Sequence, residues 1–301
     1  MHNGSIGSLT TVFRIACTNA LQYSLIVLQD LLDRLYLKYH GKDYLFSDPL
    51  EFVHRYQDPL DQEAVALVAA LLAYGNVKQI RSSIEVVLER IHRLSEGPAD
   101  FVRRLSDVGF LRKSRRSFSD FKHRFNIGAD LIVLFQLLNR SWNEFGSLGA
   151  QFVSHLDPGD RNLGRALVQL MECWRGWAAD RAEDSFYFFL TSPQDGSCCK
   201  RWCMFLRWMG RKDEVDPGLW TKKGALSSGF PQGRYLRSDQ LIIPLDTHTG
   251  RITRSWKMTH RKNPDWQAAL EVTEALRHFD DKDPVRFDFA ICRLGMLGEN
   301  G

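Results

Sequence analysis

The chain has no cysteine arrangement suited to a metal or a disulfide framework. Its six cysteines, Cys17, Cys173, Cys198, Cys199, Cys203 and Cys292, include one pair a helical turn apart, Cys199 and Cys203, with no matching Cys or His pair beside it. That excludes the four-cysteine run of an iron-sulfur loop and reads as reduced core cysteines of a cytoplasmic protein. Long apolar runs are also lacking. The longest, residues 64–74, is too short to span a bilayer, so no membrane association is expected. The first residues lack the basic start and small-residue cleavage site of a signal peptide, and residues 1–21 read as a loosely ordered extension. Strand-like alternation is missing as well: "LIIPL" is the only candidate, and Pro244 interrupts it. There is no internal repeat and no long low-complexity segment.

What is present is helical periodicity. Apolar residues make up 44% of the 301 and charged residues 25%, the balance of a globular protein able to bury a substantial core. Leu28, Leu31, Leu32 and Leu35 mark a helix over 25–39, with Gly41 placed as its cap. Asp61 then reads as the N-cap of "EAVALVAALLAYG", which is apolar almost all round and so belongs in the middle of a domain. A further helix carries Ile80, Ile84, Val87, Leu88 and Ile91 on one face, so "AYGNVKQI" is a tight junction presenting Tyr74, Asn76, Lys78 and Gln79 outward. A short helix over 99–106 leads into a basic loop ending "FKHRF". Helices follow over 129–145, 148–155, 161–179 and 265–279, and Asp283 with Pro284 caps a last one through Leu294. The fold class is all-α.

The net charge of +4 requires no particular partner, but its distribution is uneven. Between Asp246 and Asp265 stand Arg251, Arg254, Lys257, Arg261 and Lys262 with no acid, and residues 103–124 hold eight cations against Asp107 and Asp120. Two such surfaces suit a phosphate backbone, the plain alternative being a solvated basic face.

Chemistry concentrates in residues 191–254. The turn "SPQDGSCCKR" opens a helix and aligns backbone N–H groups at its positive end, which suits a phosphate oxygen near Gly196 and Ser197. Lys200 falls in that helix's first turns. A lysine amine forms Schiff bases, but an ordinary one, with pKa ~10.4, is protonated at neutral pH, so the chemistry needs desolvation or neighbouring cations such as Arg201. Downstream, in "IIPLDTHTGRI", Asp246 is placed to cap a helix and His248 follows two residues on. Asp-x-His could begin a metal site, yet no third ligand stands at a recognisable spacing, and no metal or organic cofactor is expected.

The turn ending in Gly-x-x-x-Lys at a helix start, together with Pro-Leu-Asp-Thr-His, resembles the helix-hairpin-helix DNA glycosylases, the superfamily of endonuclease III and 8-oxoguanine glycosylase. With "GSCCKRWCMFLRWMGRK" and "DPVRFDFAICRLG" the chain looks closer still to a bacterial family related to that superfamily. The resemblance implies two helical subdomains over 22–297, with a cleft between them and the terminal helices packed together. It gives Lys200 the role of nucleophile and Asp246 that of its orienting carboxylate. Tyr74, Gly75, Asn76 and Gln79 inherit a wedge at the gap left by an extruded base, and Lys78, Gly196, Ser197, Arg201, His248 and Arg251 inherit DNA contacts. The implied partner is double-stranded DNA with a damaged base, bound by a monomer at the nucleoid. The superfamily's hairpin reads Leu-Pro-Gly-Val-Gly; Ser192, Pro193, Gln194, Asp195 and Gly196 stand in its place here. Lys200 and Asp246 stand 46 positions apart, and the intervening residues 213–240 read as a looped-out excursion, flexible and facing nucleic acid or without a role. Two other classes compete: a non-catalytic helix-hairpin-helix nucleic-acid-binding protein, favoured by the altered hairpin, and a helical interaction scaffold, favoured by the aromatic-rich residues 174–189.

Overall fold

The computed structural model describes residues 25–157, 159–231 and 233–297, and the extension expected over 1–21 lies outside the described residues. The protein is all-α. Helix α1 covers 25–39, as its periodicity predicts, but Gly41 lies in extended backbone at φ −172° and is not a left-handed cap. The described residues divide into two compact units, one within 41–285 and the other of 25–40 with 286–297.

In the larger unit, α2 (Pro59–Leu71) is the element around which the core forms, with residues 63–71 all buried. Its cap is Asp58, which accepts hydrogen bonds from the backbone N–H groups of Leu60 and Asp61 while Pro59 takes the first helical position. Asp61, expected as the cap, accepts instead from the Ala99 N–H at 2.6 Å. Helices α3 (Val77–Leu94) and α4 (Pro98–Arg104) follow, and α3 buries the five apolar residues that the sequence marks. Much of the expected basic loop is helix α5 (Val108–Ser117), capped by Asp107. The rest is a hairpin of two-residue strands, β1 (Lys122–His123) and β2 (Asn126–Ile127), which no alternation could reveal.

Next come α6 (Gly128–Phe145), α7 (Leu148–Ser154), α8 (Gly164–Ala178) and α9 (Lys200–Gly210). Helix α9 packs against α2. Of the aromatic-rich residues, Trp174, Phe186 and Phe189 are fully buried, Trp177 and Tyr187 are half-buried, and Phe188 is exposed.

The excursion between Lys200 and Asp246 is folded into the core and is not a flexible loop. Val215, Trp220 and Leu236 are fully buried. Arg211, at the end of α9, pairs with Asp216 at 2.5 Å, Asp283 at 2.9 Å and Asp213 at 2.9 Å, fastening the returning chain. Trp220 reaches the centre, where its indole N–H donates to Glu63 of α2 at 2.8 Å. Glu63 also accepts from Trp142 at 2.7 Å and from the Leu148 and Gly149 N–H groups at 3.0 Å each. Four donors on one fully buried carboxylate join α2, α6, α7 and the excursion.

The larger unit ends with α10 (Thr247–Ser255) and α11 (Trp266–Arg277), the latter capped by Asp265. In the smaller unit, α12 (Asp288–Leu297) begins after the expected cap, Asp283, which is used by Arg211. There Arg286 lies over the rings of Tyr36 (4.6 Å) and Phe287 (4.9 Å), and His40 meets Phe289 edge-on at 5.8 Å. Among the described residues no helix is long and apolar enough to cross a membrane.

Candidate functional site

The carboxyl end of a helix leaves carbonyl oxygens without intrahelical partners, and cations satisfy them well. At the end of α2 the cations come from α9. Arg201 donates to the Leu71 carbonyl at 2.8 Å and to the Phe188 carbonyl, and Lys200 Nζ lies 3.4 Å from the Ala73 carbonyl. Burial lowers the Arg201 guanidinium to about 10, still cationic at neutral pH. Arg201, expected to face DNA, is buried and spends its bonds on backbone. Lys200 is half-buried at the first position of α9.

The α2–α3 junction and the β1–β2 hairpin lock together just beside these residues. The Tyr74 hydroxyl donates to Asn126 Oδ1 at 2.6 Å and stands 2.9 Å from the His123 carbonyl. His123 itself is buried, with ring nitrogens 2.8 Å from the Ser83 hydroxyl and 3.2 Å from the Tyr74 carbonyl. Burial holds the His123 imidazole below its usual pKa, so it is neutral. Gly75 has φ +101°, and a Cβ there would stand 2.8 Å from an Arg124 guanidinium nitrogen. The glycine is needed for its backbone angle and for the space that Arg124 fills.

Arg124 and Phe125 form the two-residue hairpin turn, with Arg124 at φ +51°. Left-handed backbone in a residue with a long side chain costs on the order of 1–3 kcal/mol and persists where surrounding contacts enforce it. The Arg124 guanidinium lies 5.4 Å from the Phe125 ring centre and 5.9 Å from that of Tyr74. Phe125 is parallel to Tyr74 within 3°, meets Phe188 edge-on at 5.4 Å, and remains 58% exposed.

The two expected catalytic segments meet at Cys198. Its thiol contacts the Leu245 carbonyl at 3.3 Å. Burial raises the thiol's pKa, against the Lys200 backbone N–H, which lowers it. Asp246 Oδ1 accepts from the Thr249 N–H at 2.8 Å, which caps α10 and fixes the carboxylate. Among the described residues neither Lys200 nor Asp246 has an ion-pair partner within 4 Å. The neighbouring thiols are not nucleophiles: burial pushes Cys199 up to about 12 and raises Cys198.

The turn before α9 is pinned on both sides. Asp195, the acid in the altered hairpin, is ion-paired with Arg175, whose guanidinium holds the carboxyl below the usual range. Gly196 has φ +73° and accepts from the Trp266 N–H at 3.3 Å, while Ser197 bridges to Asp265. Beyond Asp246 an open cleft of about 370 Å³ is lined by Thr247, His248, Arg251, Arg254 and Lys262. His248 and Arg251 are exposed there as expected, joined by two cations that the sequence left within a general basic stretch. In the wedge group, Gly75, Asn76 and Gln79 are exposed, as is Lys78, and Asn76 uses its side-chain oxygen to cap α3 through the Lys78 N–H at 2.9 Å. Sequence reasoning missed Arg124, Phe125 and Phe188. Their one signal was aromatic residues interleaved with cations in "FKHRF". Among the described residues no cluster of three or more His, Cys, Asp or Glu could hold a metal ion.

A mostly helical protein that carries a half-buried lysine, an exposed aromatic patch and a cationic cleft is the class that fold and site define. The chain belongs to a protein family of unknown function, DUF2400, whose model matches residues 48–297. No curated protein and no solved structure matches it.

Proposed function

We propose that the protein is a DNA glycosylase of base-excision repair with an associated abasic-site lyase activity, acting on a damaged base swung out of double-stranded DNA. The observation that carries this is that the turn opening α9 meets the segment capping α10, Cys198 near Lys200 contacting the carbonyl of Leu245 beside Asp246, although Lys200 and Asp246 lie 46 positions apart in the chain. Lys200 attacks the sugar carbon bearing the base. The base departs with the electron pair of the broken bond and takes up a proton, and opening of the sugar ring leaves a Schiff base from which elimination cuts the strand. Asp246 steadies the positive charge that develops on the sugar. The Arg251, Arg254 and Lys262 cleft supplies phosphate contacts. The resemblance to helix-hairpin-helix glycosylases adds two subdomains with a cleft, a monomer and a place at the nucleoid to this proposal.

Borohydride trapping tests it. The wild-type protein should form a covalent complex with DNA bearing a damaged or abasic site, Lys200→Gln should abolish that complex, and Asp246→Asn should slow base release at least tenfold. Undiminished trapping in Lys200→Gln sinks the assignment.

A second reading keeps the nucleic acid and drops the chemistry. It is favoured by the ordinary structural work both groups do, Lys200 beside the Ala73 carbonyl and Asp246 capping α10. It expects salt-sensitive DNA binding, no trapped complex and no base release.

A further inference from the structure

We propose that Phe125, at the tip of the β1–β2 hairpin, is the platform on which an unstacked nucleobase rests. The inference rests on the reading that a nucleic-acid strand lies at Lys200, and it assigns the base-holding role to a hairpin outside the α2–α3 junction. Four features of the tip point the same way.

Phe125 is 58% exposed and Phe188 37% exposed, a large price in solvated apolar surface for a turn that could carry any polar residue. The Phe125 ring is parallel to that of Tyr74 within 3° at 6.2 Å, so a flat aromatic group laid on its outer face extends a series already begun. The tip is held rigidly, because Tyr74 bonds to the hairpin on both sides of the turn and Arg124, in left-handed backbone, fills the space that Gly75 leaves. A platform fixed in advance loses little entropy when a ligand arrives.

The charge around the tip selects among flat ligands. Arg124 is exposed, has no ion-pair partner among the described residues and lies 5.4 Å from the centre of the Phe125 ring. Exposed aromatic rings interleaved with cations are the means by which proteins hold unpaired bases with little regard to sequence: the ring stacks on the base and the cation meets the adjoining phosphate. A neutral peptide would leave the cation unmet. An anionic lipid surface would meet the cation but gain nothing from the parallel ring arrangement.

Binding of three duplexes at one fixed salt concentration tests this: one fully paired, one with a single unpaired bulged base and one with an abasic site. Wild-type protein should bind the bulged and abasic duplexes more tightly than the paired one. Phe125→Ala should lose about 5- to 150-fold on those two, the equivalent of one base-stacking contact, with the paired duplex nearly unchanged. Phe125→Trp should restore the affinity. Because the side chain is mostly exposed, the variants are expected to keep the wild-type circular dichroism spectrum and thermal midpoint. Equal affinity of Phe125→Ala and wild type for the bulged duplex overturns the proposal, as does an equal loss on all three duplexes. Phosphatidylglycerol vesicles form a further arm, and vesicle binding lost in Phe125→Ala while DNA binding is untouched would assign the tip to a membrane surface instead. A Phe125 effect on affinity without any borohydride trapping in the wild type would remove the glycosylase reading and leave the platform standing.

Discussion

Side-chain chemistry at this site is decided by small geometric facts. The turn before Lys200 reaches the segment before Asp246 because residues 196–198 are pinned between the Leu245 carbonyl and the start of α11. Gly75 allows the hairpin to dock, and the prediction at this scale is Gly75→Ala. The new methyl group would meet Arg124 at 2.8–2.9 Å and the backbone would hold a disfavoured angle. A loss of roughly 1–3 kcal/mol in urea unfolding is expected, together with weaker binding of bulged DNA because the tip is displaced. Unchanged stability and unchanged binding would mean that Arg124 moves aside freely.

At the scale of elements, α2 shows where sequence was sufficient and where it was not. The uniformly apolar run from Ala64 to Leu72 predicts a buried helix, and these residues are buried. The acid just before that run, Glu63, gives no hint that it will be a fully buried carboxylate, since its donors lie 79 to 157 residues away. Strong periodicity made α3, α6 and α8 legible within a few residues. Helix α5 was lost in a run of cations because its apolar face is little more than Phe110. The hairpin was hidden because its turn, Arg124-Phe125, carries none of the Gly, Asn or Asp that advertise such turns. For the candidate site, motif and resemblance proposed Lys200 and Asp246, whereas the cluster of Tyr74, Phe125 and Phe188 rests on contacts that no local pattern contains. A prediction follows for Glu63→Gln. The amide has one acceptor oxygen, so its NH2 group must face indole or backbone donors, and a loss of about 3–5 kcal/mol in unfolding free energy is expected. A change under 1 kcal/mol would show that the surrounding donors find other partners.

For the whole molecule the testable quantity is the response to pH. Burial lowers the pKa of both His123 and His155, so folded protein keeps these rings neutral where an unfolded chain would protonate them. Their contribution to stability is present above about pH 6.5 and is lost as pH falls from there through the folded-state values. The carboxylates held low by arginines, Asp120, Asp160, Asp195 and Asp265, begin to cost stability only near pH 4 and below. Asp61, Glu63 and Asp283, raised by burial, act in the opposite sense as they take up protons. The urea midpoint should therefore fall between pH 7 and pH 5, and less steeply in His155→Gln than in wild type. A flat profile over that interval would show that the two rings take up protons without opening the core.

The bonds that Glu63 makes also set an order of events at the ribosome. Trp220 follows Glu63 by 157 residues, so at ~5–20 residues per second the carboxylate waits roughly 8–30 s for its last donor to be synthesised. Throughout that interval the nascent chain holds an acid at its centre with an incomplete set of partners. The finished core, and with it the corner holding Lys200, closes late in translation.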